Sequence, residues 1–188
     1  MTVDDTQWPR FQVFKQDRLD VPFENVGSVH APDAEMALQN ARDVFVRRPD
    51  CAGLWVVPAE AILEESGRVP TAGGEESQGG GTASTEAFLV FVKQDQSGTH
   101  IYRGQVEAPS PTHALILARS SLDDPDRPGI VWWVCPARAV VRSEPDEAES
   151  MFGPARGKLY RQPGYYRADS MMRAIKARRR REQDEASE

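Results

Sequence analysis

The side chains of this 188-residue chain that could do chemistry are three histidines, two cysteines and a run of acids, and their spacing limits what they can do. His30, His100 and His113 share no metal-ligand spacing. None has an acidic residue three positions before it, so the Glu-x-x-His pair that carboxylate-bridged di-iron bundles place on a helix is missing. Cys51 follows Pro49 and Asp50 in a loop, while Cys135 sits in an apolar run; without a Cys-x-x-Cys, neither a redox pair nor a zinc site is expected. A Gly-x-Ser-x-Gly nucleophile turn is also missing. Glu144, Asp146, Glu147 and Glu149 lie in a polar stretch and read as solvated surface. These patterns predict no catalytic residue, no cofactor site and no metal site.

The aromatic residues carry more information. Trp55 and Trp133 fall at matching positions of two similar strands, and Trp132, one residue earlier, points to the opposite face. A sheet with tryptophan on both faces needs both faces covered. Helices can cover one, and the other needs a sister repeat or a partner, so Trp132 is a candidate for partner or inter-repeat burial as well as for plain core packing. Farther on, Lys158-Leu159-Tyr160-Arg161-Gln162-Pro163-Gly164-Tyr165-Tyr166 has neither helical nor strand periodicity and reads as an extended arm. Tyrosine and arginine are enriched at interface hot spots, which makes Tyr160, Arg161, Pro163, Tyr165 and Tyr166 candidate partner contacts.

The elements that position these residues come from a repeat. Phe11–Arg42 aligns without a gap on Phe88–Arg119, matching Phe11/Phe88, Val13/Val90, Phe14/Phe91, Gly27/Gly104, Ala31/Ala108 and Leu38/Leu115 among others. After one inserted residue, Trp55-Val56-Val57-Pro58-Ala59 aligns on Trp133-Val134-Cys135-Pro136-Ala137. Each copy predicts a hairpin, with Phe11–Phe14 or Phe88–Phe91 as its first strand and a second strand ending at Val29 or Val106. The matched glycine in that second strand marks a bulge or a close backbone approach. A helix follows, capped by Asp33 in one copy and by Ser110 with Pro111 in the other. The third strand, Leu54–Val57 or Ile130–Val134, is apolar enough to be buried on both faces. Short helical segments are expected from Ala59 to Glu65 and from Ala137 to Arg142.

The expected fold is therefore α+β: two strand–strand–helix–strand modules packed as a pseudo-dimer with antiparallel sheet, plus an extended C-terminal arm. The modules are residues 8–66 and 86–150. Residues 67–85, with Gly73-Gly74 and Gly79-Gly80-Gly81, form a flexible linker whose reach of roughly 25 Å can bring them side by side. Those glycines are no phosphate loop, because no Gly-Lys-Ser/Thr follows them. Residues 151–188 supply the arm and a charged tail. Each module alone is small enough for its core to be marginal, so the two should pack together with the hairpin strands and the tryptophan strands paired across a two-fold. Such a chain consumes its self-association surface internally, and a free monomer is expected.

A net charge of −6 argues against general nucleic-acid or anionic-membrane binding. Arg178-Arg179-Arg180-Arg181 in the helix-like stretch Ser170–Gln183 is the one feature favouring a nucleic-acid binder, and acids follow it at once. No apolar run approaches the ~20 residues of a membrane span, and the acidic start Met1-Thr2-Val3-Asp4-Asp5 is unlike a signal peptide, so a cytoplasmic location is expected.

The segments Trp8–Phe14, Val26–Ala31 and Met36–Asp43, the strand Leu54–Val57 and the tail Lys158–Pro163 together resemble the B subunit of bacterial ring-1,2-phenylacetyl-CoA epoxidase. A usual member of that family is one module followed directly by the tail, whereas here a divergent second copy intervenes. The resemblance implies a non-catalytic subunit without cofactor in phenylacetate degradation. It would bridge a di-iron oxygenase subunit and the structural companion of that subunit. A cofactor-free monooxygenase or isomerase built on small α+β modules is the alternative, and it requires a polar-lined pocket.

Overall fold

A computed structural model describes residues 8–46, 51–67, 85–146, 148–154 and 172–178. The first half contains β1 (Arg10–Gln16), β2 (Glu24–His30), α1 (Ala34–Phe45), β3 (Gly53–Pro58) and β4 (Leu63–Ser66). The second half repeats that order with β5 (Glu86–Lys93), β6 (Ile101–Ala108), α2 (Pro111–Leu122), β7 (Val131–Pro136) and β8 (Val141–Arg142), followed by α3 (Ala148–Phe152). The eight strands form one antiparallel sheet in the order β4-β7-β5-β6-β2-β1-β3-β8. The fold is α+β, as expected.

Local signals in the chain set the hairpins and helices. Gly27 and Gly104 have φ of 133° and 156°, and the β1–β2 and β5–β6 registers shift at Val13/Phe14 and Val90/Phe91. A Cβ on Gly27 would come within 3.0 Å of the Phe45 ring, and one on Gly104 within 3.5 Å of Leu122. Both glycines supply the positive φ of the bulge, and at Gly27 the helix also comes too close for a Cβ unless the Phe45 ring shifts, whereas at Gly104 the contact would be an ordinary one. Asp33 accepts a hydrogen bond from the Met36 N–H at 2.7 Å, and Ser110 accepts one from the His113 N–H at 3.3 Å. Such caps stabilise a helix start by about 1 kcal/mol each.

The two halves meet in two ways. At the middle of the sheet β2 and β6 share one bridge, Glu24 to Ile101, flanked by Asn25 N–H donating to His100 O and Tyr102 N–H donating to Phe23 O, both at 2.8 Å. Glu24 and Ile101 are matched positions in the sequence alignment of the two segments. At the outer ends the halves exchange strands: β4 pairs with β7, and β8 pairs with β3. This corrects two expectations. Ala59–Ala61 and Ala137–Ala139 form only single 3-10 turns, after which the chain extends as β4 and β8. The tryptophan strands β3 and β7 do not pair with each other; each receives the short strand of the other half.

One face of the sheet is covered by helices. Ala37 and Ala41 of α1 pack on Phe11, Leu54 and Val56, and Phe152 of α3 joins this cluster. Leu115 and Ala118 of α2 pack on Val90, Trp132 and Val134. The other face closes on itself. In a flat sheet β1 and β5 would lie three strand spacings apart, about 14 Å. Yet the rings of Phe14 and Phe91 are stacked with centroids 3.9 Å apart, so the sheet curls until its halves face each other. Phe14, Val57, Leu89, Phe91, Trp133 and Cys135 form that inner core. Burying each such side chain contributes about 1.5–3 kcal/mol, so this core ties the two halves of the sheet together.

Candidate functional site

His100, Glu64 and Arg142 gather around the two inner tryptophans, Trp55 and Trp133. Trp55 stacks on Phe23 with ring centroids 3.7 Å apart, and the Arg142 guanidinium lies over its ring at 5.0 Å. Trp133 stacks on His100 at 3.6 Å, and its indole N–H donates to a Glu64 carboxylate oxygen at 2.7 Å. Phe23 and His100 precede the bridge residues Glu24 and Ile101, while Arg142 and Glu64 sit on the exchanged strands opposite Trp55 and Trp133. The same three-residue frame is therefore built twice, once with an arginine and once with a histidine and a carboxylate.

His100 is 8% exposed, and its Nε2 has no hydrogen-bond partner among the described residues. Burial holds its pKa down at about 4; the Glu64 carboxylate pulls it up, and the Lys93 ammonium pulls it further down. The ring is therefore neutral near pH 7 and serves as a stacking surface. Burial pushes the Cys51 thiol up to about 11 and the Cys135 thiol to about 12, so neither forms the thiolate a nucleophile requires. His30 Nδ1 lies 2.7 Å from Trp8 O, and His113 Nδ1 lies 2.9 Å from the Ser110 hydroxyl of the α2 cap. The three histidines are thus each engaged locally or buried. Among the described residues no group of three or more His, Cys, Asp or Glu side chains could hold a metal ion.

Trp132 is 1% exposed and lies beneath α2, with the Arg119 guanidinium 5.7 Å from its ring. It offers no surface to a partner, which corrects its place among the interface candidates: it is core. The reason lies in the counterpart position. Leu54 occupies that place in the first half, where Phe152 of α3 joins the same cluster; in the second half the indole packs under the helix with Val90, Val92 and Val134. Tyr160, Arg161, Pro163, Tyr165 and Tyr166 lie outside the described residues, as do residues 68–84 of the glycine linker and Arg179–Arg181. Glu64 and Arg142 were missed as partners of the tryptophans because the sequence placed both in short helical segments. The repeat alignment, which sets Trp55 beside Trp133, was the signal available.

Shallow clefts open on the surface of the described residues. A volume of about 310 Å³ lies between Lys15, Asp17, Arg18, Val21, Glu24 and Ile101, and one of about 340 Å³ lies between β2 and α1 beside His30, Asn40 and Asp43. Neither reaches the inner tryptophans.

The family model described as "Phenylacetic acid degradation B" matches residues 7–69 and 84–173, which takes in both halves of the sheet and the residues after it up to 173. The chain belongs to this family. The B subunit of 1,2-phenylacetyl-CoA epoxidase from Escherichia coli (strain K12) is 43% identical to it over 56 residues, or 30% of this chain and 59% of that protein. The match therefore spans under two thirds of that relative. No solved structure matches the chain. Membership in the phenylacetic acid degradation B family supports a role in phenylacetate catabolism. Among the described residues no helix is long and apolar enough to cross a membrane.

Proposed function

We propose that this member of the phenylacetic acid degradation B family is a non-catalytic bridging subunit of a phenylacetyl-CoA epoxidase complex in the cytoplasm. It would join a di-iron oxygenase subunit to the structural companion of that subunit. The observation that carries this reading is the closure of both sheet faces by the chain's own side chains. A cofactor-free oxygenase on a curled sheet needs a hollow inside the curl, and here the stacked Phe14 and Phe91 rings and Trp133 fill that position. The large aromatic investment thus goes into rigidity, which suits a subunit that holds others in place.

The family match extends to residue 173 and so includes Tyr160–Tyr166, which supports reading that segment as a docking arm. Truncating a buried Tyr or Arg anchor commonly costs ~2 kcal/mol or more, roughly thirty-fold in affinity. The test has two parts. The purified chain is incubated with phenylacetyl-CoA, oxygen and a reductant, with no epoxide expected; product together with stoichiometric bound iron would overturn the bridging role. A chain lacking residues 151–188 is then titrated against the oxygenase pair. Weakened binding of that pair is expected, and unchanged affinity would remove the arm from the interface.

A further inference from the structure

The two hairpins end in strand edges that differ. Beyond the Glu24–Ile101 bridge, the side of β6 away from β5 has no neighbouring strand from Arg103 to Ala108 among the described residues. An unpaired edge of this length presents backbone donors and acceptors to any strand that can lie beside it. Its exposed side chains alternate as Arg103, Gln105 and Glu107. No ion pair engages Arg103 among the described residues, and the Gln105 amide donates to Glu107 at 3.3 Å. The equivalent edge of β2 carries Val26, Ser28 and His30, without opposed charges, and the Asn40 amide of α1 donates to His30 O at 3.2 Å. In α2 the place of Asn40 is taken by Leu117, 44% exposed, which cannot cap the edge in that way.

We infer that the β6 edge binds a second copy of this chain, β6 against β6, antiparallel and centred on Gln105. The charge order carries the choice of occupant. In that register Arg103 of each copy lies opposite Glu107 of the other and the two Gln105 amides face each other, so the strip is complementary to itself. The same pairing would not follow for β2, whose edge carries no such order. The expectation of a free monomer counted only the surface used between the two halves; the β6 edge lies outside it.

The experiment measures the mass of the full-length chain by sedimentation over micromolar to millimolar concentration. The wild type should approach twice 20.9 kDa. Arg103→Glu and Glu107→Arg each set like charges opposite one another twice across the interface, and each should raise the dissociation constant at least about tenfold. The double variant Arg103→Glu with Glu107→Arg restores complementarity and should restore the dimer. Thermal unfolding of each variant shows whether the fold survives. A wild type that stays monomeric throughout, or a dimer indifferent to single and double charge reversal, would overturn the inference.

Discussion

The two tryptophan frames share a backbone and differ in chemistry. Around Trp55 the stacking partner is Phe23 and the residue from the exchanged strand is Arg142; around Trp133 these are His100 and Glu64. Both frames abut the same Phe14–Phe91 stack, Trp133 edge-on to Phe14 and Trp55 edge-on to Tyr102, which in turn meets Phe91. The comparison teaches that strand exchange fixes the geometry while the identity of the arriving side chain is free to change. A cation above one ring face and an anion at the other indole's edge both satisfy an aromatic whose face is negative and whose edge is positive.

The largest effect should come from breaking what the frames share. Phe91→Ala removes a ring fully buried between the halves and should cost about 3–5 kcal/mol. Urea unfolding should show that loss in a single transition, because both halves lean on the same stack. Two separate transitions, with only the second half weakened, would mean that the frames are independent.

Next in size is the pH response of one frame. His100 has a folded pKa of about 4 against an ordinary value of 6.5, so the unfolded chain takes up the proton first. Its contribution is complete above about pH 6.5 and is lost as the pH falls toward 4. Allowing for solvent at the ring edge, the loss should be about 1–2 kcal/mol. His100→Phe, which copies the first frame, should flatten this part of the stability profile, and Phe23→His should steepen it. An identical slope in wild type and His100→Phe, measured by urea unfolding from pH 7 to 4, would show that other groups govern it.

Smaller still are the two exchanged-strand contacts. Glu64→Ala removes the acceptor of the Trp133 indole N–H and should cost about 1 kcal/mol. Arg142→Ala removes a cation over Trp55 and should cost about 0.5–1 kcal/mol. Glu64→Gln should also lower the His100 pKa further, since the carboxylate is what raises it. Titration of the His100 ring by NMR checks this, and an unmoved or raised pKa would uncouple the pair.

The hairpins, the helix caps, the bulge glycines and the equivalence of Trp55 and Trp133 were all legible in the sequence, because each rests on local chemistry. Val, Phe and Trp runs favour a buried pleated surface, Asp33 and Ser110 satisfy free helical N–H groups, and a glycine accepts a φ that side chains resist. The path of Leu63-Glu64-Glu65-Ser66 was not legible. After Leu63 its residues are polar, the segment is largely exposed, and nothing local favours a strand; the ladder offered by β7 makes it one. The same holds for Val141–Arg142 beside β3. Tertiary structure alone also decided that Trp132 would be core while Trp133 met His100. Strand alternation sends the two rings to opposite faces, but what covers each face is set by the curl of the sheet and the seating of α2, which depend on contacts far apart in the chain.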